Sequence, residues 1–245
     1  MNDIAVIFED KDFLVVNKPA GLMVHPVPAR AGGPNGMRFE ETLTDMLLPK
    51  YPELADVGDK PAERPGVVHR LDRDTSDVLV LARRQAFFEY LKKQFQESKV
   101  KKTYLALAWG RLPQEGTIDV PIGLKPGTTK RSTRGKAMKM VKEAVTEYRT
   151  LERFTFEGEE FSFVRLFPKT GRTHQLRVHL LNTHHPVVGD QLYGKRKNPW
   201  DLGRQFLHAE SIEFSLPDGR RVRFEAELPE ELQRILNGLR GKDSS

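Results

Sequence analysis

The chain has 245 residues, 38% hydrophobic and 30% charged with 14 Phe, a composition that builds a core and excludes wholesale disorder. It has no cysteine, which excludes disulfide frameworks, thiolate metal sites and thiol nucleophiles, and no apolar run approaches the roughly 18 to 20 residues of a membrane-spanning helix. The net charge of +6 suits a polyanionic partner, and the start MNDIAVIFEDKDF, without a basic opening or an apolar stretch, sets the expectation of a cytoplasmic protein.

In chain order, the apolar pattern predicts strands at 4–8 and 13–17 and a short helix at 41–48. The run from Pro61 to Gly66 punctuates the chain, and 69–83 reads as a loop entering a strand. Phe87, Leu91 and Phe95 recur at four-residue spacing with Phe88 beside them, so 84–98 reads as a helix whose rings belong to the core. Strands follow at 102–109, 144–154, 160–167, 206–214 and 221–226, with helices at 173–182 and 230–239. Strands and helices mix without regular alternation. That pattern favours an α+β fold on a mixed, mainly antiparallel sheet flanked by helices and loops. No long linker divides the sequence, so residues 1–245 are expected to form a single domain.

Between residues 125 and 142 stand Lys125, Lys130, Arg131, Arg134, Lys136, Lys139 and Lys142 with no acid among them, while Gly127 and Gly135 loosen the backbone. A solvated basic loop and a loop lying along phosphates are both consistent with this run.

Several common signatures are missing: there is no phosphate-binding G-x-x-x-x-G-K-[ST] loop, no G-x-G-x-x-G and no G-x-S-x-G. His174 and His179 are five apart, which puts them on different faces of a helix, and no H-E-x-x-H occurs, so no metal is expected. Ser98 and Lys101 fit S-x-x-K, and Lys169-Thr170-Gly171 fits K-T-G, which keeps a serine acyl-transfer enzyme of the penicillin-binding or β-lactamase type as a remote alternative. Against it, the third element is half present as Ser76-Asp77-Val78 and precedes Ser98, which itself falls at the end of a predicted helix.

Two stretches concentrate chemistry. In HRLDRDTSDVLVLAR (69–83), Asp72 stands between Arg70 and Arg73 at the mouth of a strand fit for burial. In PKTGRTHQLRVHLLNTHHPVVGDQLYG (168–194), a helix starting near Thr173 puts His174, Arg177 and Leu181 on one face, with the guanidinium emerging from an apolar surface made by Leu176, Leu180 and Leu181. A half-buried arginine needs an acid or a phosphate. Asp72 is one sensible counter-ion, and spacing alone equally allows two unrelated surface charges.

GVVHRLDRDTSDVLVLAR resembles the H-R-L-D-x-x-T-S-G signature of the RluA-type RNA pseudouridine synthases. KKTYLALAWG is similar to their tyrosine motif, and TGRTHQLRVHL followed by HPVVGDQLYG to their arginine motif, while VVNKPAGLMVHP and FLHAESIEF also have counterparts. The likeness runs in order from Ile4 to Leu228. It implies the pseudouridine synthase fold and an isomerase that detaches uracil from C1′ at N1 and reattaches it through C5, with no cofactor and no metal. It implies Asp72 as the catalytic carboxylate, either a nucleophile on the uridine or the base that removes a sugar proton. Arg177 matches the arginine that pairs with that aspartate and keeps it ionised, and Tyr104 the tyrosine that stacks on the flipped uracil. Arg70 matches an arginine that fills the gap left by the nucleotide, and His174 falls within the arginine motif. RNA contacts are expected at Arg70, Lys130, Arg131, Arg134 and His174.

The implied partner is RNA, ribosomal or transfer, carrying a flipped uridine; no DNA and no membrane are expected, and the protein is expected to be a monomer. Nothing ahead of Ile4 is long enough for the small N-terminal RNA-binding domain of many relatives, so the expectation is a catalytic domain alone. A protein that binds or remodels RNA on this fold without turnover is the alternative. The chain departs from the pattern at Asp77, where the motif has glycine. A glycine there serves a positive φ, which Asp tolerates, or makes room for a close neighbour; the turn-forming run Thr75-Ser76-Asp77 favours the first.

Overall fold

The computed structural model describes residues 4–26, 41–128, 130–135, 138–194 and 198–243. Lys136 of the basic run lies outside the described residues. The strands are β1 (Ala5–Glu9), β2 (Phe13–Lys18), β3 (Ser76–Ala82), β4 (Lys101–Trp109), β5 (Glu115–Asp119), β6 (Ile122–Leu124), β7 (Arg131–Ser132), β8 (Lys139–Lys142), β9 (Val145–Phe156), β10 (Glu159–Pro168), β11 (Leu207–Ser215) and β12 (Arg221–Glu225). The helices are α1 (Leu43–Leu47), α2 (Gln85–Gln96), α3 (Gln175–Asn182) and α4 (Glu230–Asp243). Two compact units are formed, Met1–Val100 with Ile212–Ala226, and Lys101–Ser211 with Glu227–Ser245.

In the first unit β2 is antiparallel to β1 and to β3, with Phe13 opposite Ala82 and Lys18 opposite Asp77. Every residue of β3 is buried, and from Val78 to Ala82 the strand reads as a continuous apolar run instead of an alternating one. The period of two still sorts its side chains. Leu79 and Leu81 join Leu14, Val16, Leu43, Leu47, Tyr51 and Leu54 on one face, whereas Val78, Val80 and Ala82 join Phe13, Val15 and the α2 residues Phe87, Phe88 and Leu91 on the other. The helical spacing of those phenylalanines therefore marks core, as the sequence predicts. Helix α1 is shorter than the 41–48 expected because Thr42 is extended (φ −113) and its N–H and hydroxyl both bond the Asp45 carboxylate. Helix α2 stops before Ser98, whose φ of 56 ends the turn.

Asp77 corrects the sequence reading. It lies in regular β3, paired with Lys18, and is not among the positive-φ residues, so a left-handed backbone is not what glycine would supply here. Asp77 and Lys18 are both buried, and directly opposed residues of antiparallel strands put their side chains on one face about 5 Å apart. The motif's glycine position is thus one where a side chain meets packed neighbours.

In the second unit the order is β4-β10-β9-β5, antiparallel throughout, and β6 is flanked by β7 and β8 in a small three-stranded sheet. The α+β, mainly antiparallel expectation holds. The basic stretch expected as a loop contributes β7 and β8, because short pairings around Gly123 need no apolar alternation to form. Helix α4 runs to Asp243, past the predicted end at 239, and Arg240 on that extra turn clasps Glu152 of β9 (Nε to Oε2 2.8 Å). Among the described residues no helix is long and apolar enough to cross a membrane.

Burial gives the fold a definite pH response. His179 is fully buried, its Nδ1 2.9 Å from the Thr146 hydroxyl and its Nε2 3.1 Å from the Val120 carbonyl, and desolvation lowers its pKa. Burial lowers His25 and His185 as well. A histidine whose folded pKa lies below its unfolded value, near 6.5, gives its full stabilisation above that pH and loses it as the pH falls towards the folded pKa. The urea midpoint is expected to drop from pH 7.5 to pH 5.5, and less steeply in His179→Asn. Equal slopes in the two proteins would show that His179 does not contribute.

Candidate active site

The aspartate stretch belongs to the first unit, where Asp72 is half-buried in the loop that leads into β3. Its carbonyl accepts the Thr75 N–H at 3.2 Å, closing a turn. The next residue is tied from both sides: the Arg73 carbonyl accepts from the Gly21 N–H and from Lys18 Nζ, each at 3.0 Å, and Arg73 Nε donates to the Gly21 carbonyl at 2.9 Å. Lys18 Nζ also donates to the carbonyls of Pro19 (2.8 Å) and Leu22 (2.9 Å). A buried ammonium thus spends its donors on main-chain oxygens and fixes the backbone beside Asp72. His69 reinforces the loop, since its Nε2 accepts the Val80 N–H at 3.2 Å and its ring stacks on Phe95 at 4.9 Å. Shielding from water and the charge of Arg64 pull the Arg70 guanidinium below its usual range, with Asp72 opposing them.

Tyr104 and the arginine stretch belong to the second unit. Tyr104 sits in β4 opposite Leu166, with only 9% of its surface exposed, so the ring is held within the strand's packing. Arg177 is buried on α3 and makes a two-pronged ion pair with Asp190, Nε to Oδ2 at 2.7 Å and Nη2 to Oδ1 at 2.8 Å. Asp190 Oδ1 also accepts the N–H groups of Leu192 and Tyr193, each at 2.9 Å, and the Tyr193 ring lies 5.1 Å from the guanidinium carbon. Asp190, thirteen residues along, is thus an acid partner of Arg177. Gly189 makes that turn feasible: its φ is +72, and a Cβ there would collide with the Arg204 carbonyl.

The helix begins later than expected. His174 has φ 56 and is an N-cap outside α3, so it does not share a helical face with Arg177, and Leu181 is partly exposed while Leu176 and Leu180 are buried. The left-handed His174 is secured by its surroundings. Its Nδ1 is 2.8 Å from the Tyr193 hydroxyl, and the Gln175 side chain beside it receives Thr170 Oγ1 (2.7 Å) and the Arg172 N–H (3.0 Å) while donating to the Val145 carbonyl (3.0 Å). Tyr193 and Asp190 are the residues that sequence reasoning missed. Both stand in HPVVGDQLYG, and the signal was available only as a demand for an acid near Arg177.

The small basic sheet rests against the same turn. The Tyr193 hydroxyl accepts the Arg131 N–H at 2.9 Å, Lys130 Nζ reaches the Leu192 carbonyl at 3.4 Å, Thr133 Oγ1 donates to Asn182 Oδ1 at 2.9 Å, and Arg134 Nη2 approaches the Asn182 carbonyl at 3.5 Å. Tyr193 thus joins the basic strand, His174 and Arg177. Among the described residues the buried Nε of Arg131 has no hydrogen-bond partner. The serine alternative gains nothing: Ser98 is exposed in a turn, and Lys169 is paired with Glu147 at 2.7 Å on the exposed surface.

The RNA pseudouridylate synthase family model matches residues 12–182. An uncharacterized RNA pseudouridine synthase of Chloroflexus aurantiacus is 43% identical over 93% of this chain and 67% of its own length. The ribosomal large subunit pseudouridine synthase D of Nitrosomonas europaea is 38% identical over 96% of this chain and 65% of its own length. The chain thus spans about two thirds of the length of these curated relatives. The solved structure of human RNA pseudouridylate synthase domain containing 1 superposes with a TM-score of 0.71 at 28% identity, covering 97% of this chain and 95% of the other. The chain belongs to the RNA pseudouridylate synthases, isomerases that convert uridine to pseudouridine.

Proposed function

We propose that this protein isomerises specific uridines of structured RNA, with Asp72 as the catalytic carboxylate, and that residues 1–245 work as one catalytic domain, a cytoplasmic monomer requiring no cofactor. The observation that carries the reading is the fixed Asp72 loop: a reactive carboxylate mounted on a backbone that buried Lys18 and Gly21 hold in place, ahead of a strand buried throughout. Such rigidity keeps a reacting group near its productive geometry.

In the reaction the C1′–N1 bond breaks and a C1′–C5 bond forms, N1 ends protonated and C5 gives up its proton, so nothing is oxidised or reduced. Asp72 acts as nucleophile on the uridine or as base on the sugar. Tyr104 stacks on the flipped base, Arg177 supplies positive charge, and Arg70 occupies the place of the displaced nucleotide. Extruding a base lets chemistry reach atoms hidden in a stacked strand. His174 and the basic residues Lys130, Arg131 and Arg134 take the RNA backbone.

Ribosomal RNA is the first substrate to test, because relatives such as that of Nitrosomonas europaea are named for the large ribosomal subunit; transfer RNA is the second. The test is a map of pseudouridine in total RNA from cells with and without the gene. Sites that vanish with the gene identify the substrate. Retained RNA binding with no gene-dependent site would establish the non-turnover alternative instead. Neutralising Lys130, Arg131 and Arg134 together is expected to weaken RNA binding and to flatten its salt dependence by up to about three phosphate contacts, with little change in turnover at saturating RNA. An unaltered salt slope would return these residues to ordinary solvated surface.

A further inference from the structure

The small sheet carries an apolar feature that the phosphate contacts do not use. Between the pairs Ile122↔Lys142 and Leu124↔Lys139, β8 has one residue more than β6, which makes a bulge. Met140 takes it up with φ 51, and both Met140 and its neighbour Val141 are exposed, at 68% and 49%. Met140 is thus the most exposed of the large hydrophobic residues in the described chain. A methionine in the left-handed region is unusual for its type, and a glycine or asparagine would fit that backbone better. Val141 Cγ2 lies so close to Gly123 that a Cβ there would be 3.0 Å from it, so β6 is shaped to let β8 sit tightly with this bulge in place.

The surroundings decide what such a projection meets. Lys139 and Lys142 flank it on the same strand, Arg131 lies across β6, and no acid occurs from Val120 to Lys142. Among the described residues neither Lys139 nor Lys142 has a carboxylate partner. A zwitterionic lipid surface and an apolar protein groove lack the dense negative charge that this setting calls for, whereas an RNA loop presents both phosphates and exposed base faces at the spacing of one nucleotide. We propose that Met140, backed by Val141, is an apolar contact for an unstacked base of the RNA substrate, with Lys139, Lys142 and Arg131 on the adjoining phosphates. The proposal rests on the RNA reading above and adds to it a contact that favours single-stranded loops over paired stems.

The discriminating variant is Met140→Gly, because glycine relieves the positive φ and so preserves the bulge, with Met140→Asn as a second variant that also tolerates it. The full-length chain is titrated with two RNAs of equal length, a hairpin with an open loop and a fully paired duplex. Both variants are expected to bind the hairpin about fivefold or more weakly with an unchanged salt slope, to bind the duplex as the wild type does, and to melt at or above its temperature. Lys139→Gln with Lys142→Gln is expected to flatten the salt slope by up to about two contacts for both RNAs. Hairpin affinity unchanged in Met140→Gly, with the wild type binding normally, overturns the base contact and leaves the RNA reading standing. A wild type that binds neither RNA overturns both. Met140-dependent binding to vesicles of phosphatidylserine and phosphatidylcholine, with none to the hairpin, assigns the projection to a membrane and overturns the proposal.

Discussion

Replacing Asp72 with asparagine is expected to abolish pseudouridine formation while leaving RNA affinity within a few-fold of wild type. The substitution preserves the shape of the side chain and the turn closed by the Asp72 carbonyl and the Thr75 N–H, because that bond is made by the main chain. The Lys18 Nζ and Gly21 N–H bonds to the Arg73 main-chain carbonyl do not involve the Asp72 side chain and survive. What is lost is the charged oxygen pair, and an amide is neither a competent nucleophile nor a base at neutral pH. Both roles open to Asp72 therefore predict the same outcome, a fall in turnover of at least about a hundredfold with little change in KM. Quantifying pseudouridine by mass spectrometry after incubation with substrate RNA checks it. Residual turnover above about a hundredth of wild type would take the catalytic role away from Asp72.

The core was legible where a local period sufficed. Phe87, Phe88 and Leu91 declare a helix face by spacing, and Val78 to Ala82 declare a buried strand by continuity, and both are buried in the fold. The Asp72 loop stood out as a constellation, since an acid between two arginines at the mouth of a core strand has no packing rationale. Its supports did not: Lys18 reaches Arg73 across 55 positions of sequence, and no periodicity reports a bond of that range. Asp77 shows the same limit. Its neighbours Thr75 and Ser76 suggest a turn, yet strand pairing with Lys18 overrides local propensity and places the side chain in the packed interior. In the second unit, His174 was misplaced on the helix because the spacing of polar residues does not reveal a left-handed cap, and Asp190, a partner of Arg177 within the same quoted stretch, went unnoticed because thirteen residues exceed any helical period. The basic run was visible as charge, but its folding into β7 and β8 depends on close packing at Gly123, which composition does not show.

Asp190 is expected to matter almost as much as Asp72, by a different route. Its side chain is fully buried, and it takes two N–H groups from Arg177 and the main-chain N–H groups of Leu192 and Tyr193. Asp190→Ala leaves all four donors without this acceptor. Breaking a buried pair from one side costs about 3 to 5 kcal/mol, which for a chain of this size corresponds to a fall in melting temperature of roughly 6 to 20 °C. Asp190→Asn is the sharper probe. Its amide oxygen can still accept from Leu192 and Tyr193, but the charge is gone and an N–H donor is turned towards the guanidinium, so both stability and turnover are expected to fall. Adding Arg177→Met to Asp190→Asn removes the charge left in the apolar surroundings of α3 and should recover much of the lost stability, since buried ion pairs are often replaced by apolar groups at little cost. Turnover should not recover, because the guanidinium itself is missing. That split separates an orienting role from a merely structural one: thermal melts and single-turnover rates are compared for the two single variants and the double. If activity returned along with stability in the double variant, Arg177 would be a packing residue and Asp190 no more than its counter-ion. If Asp190→Asn alone kept wild-type turnover, the guanidinium would not need this carboxylate to hold its position.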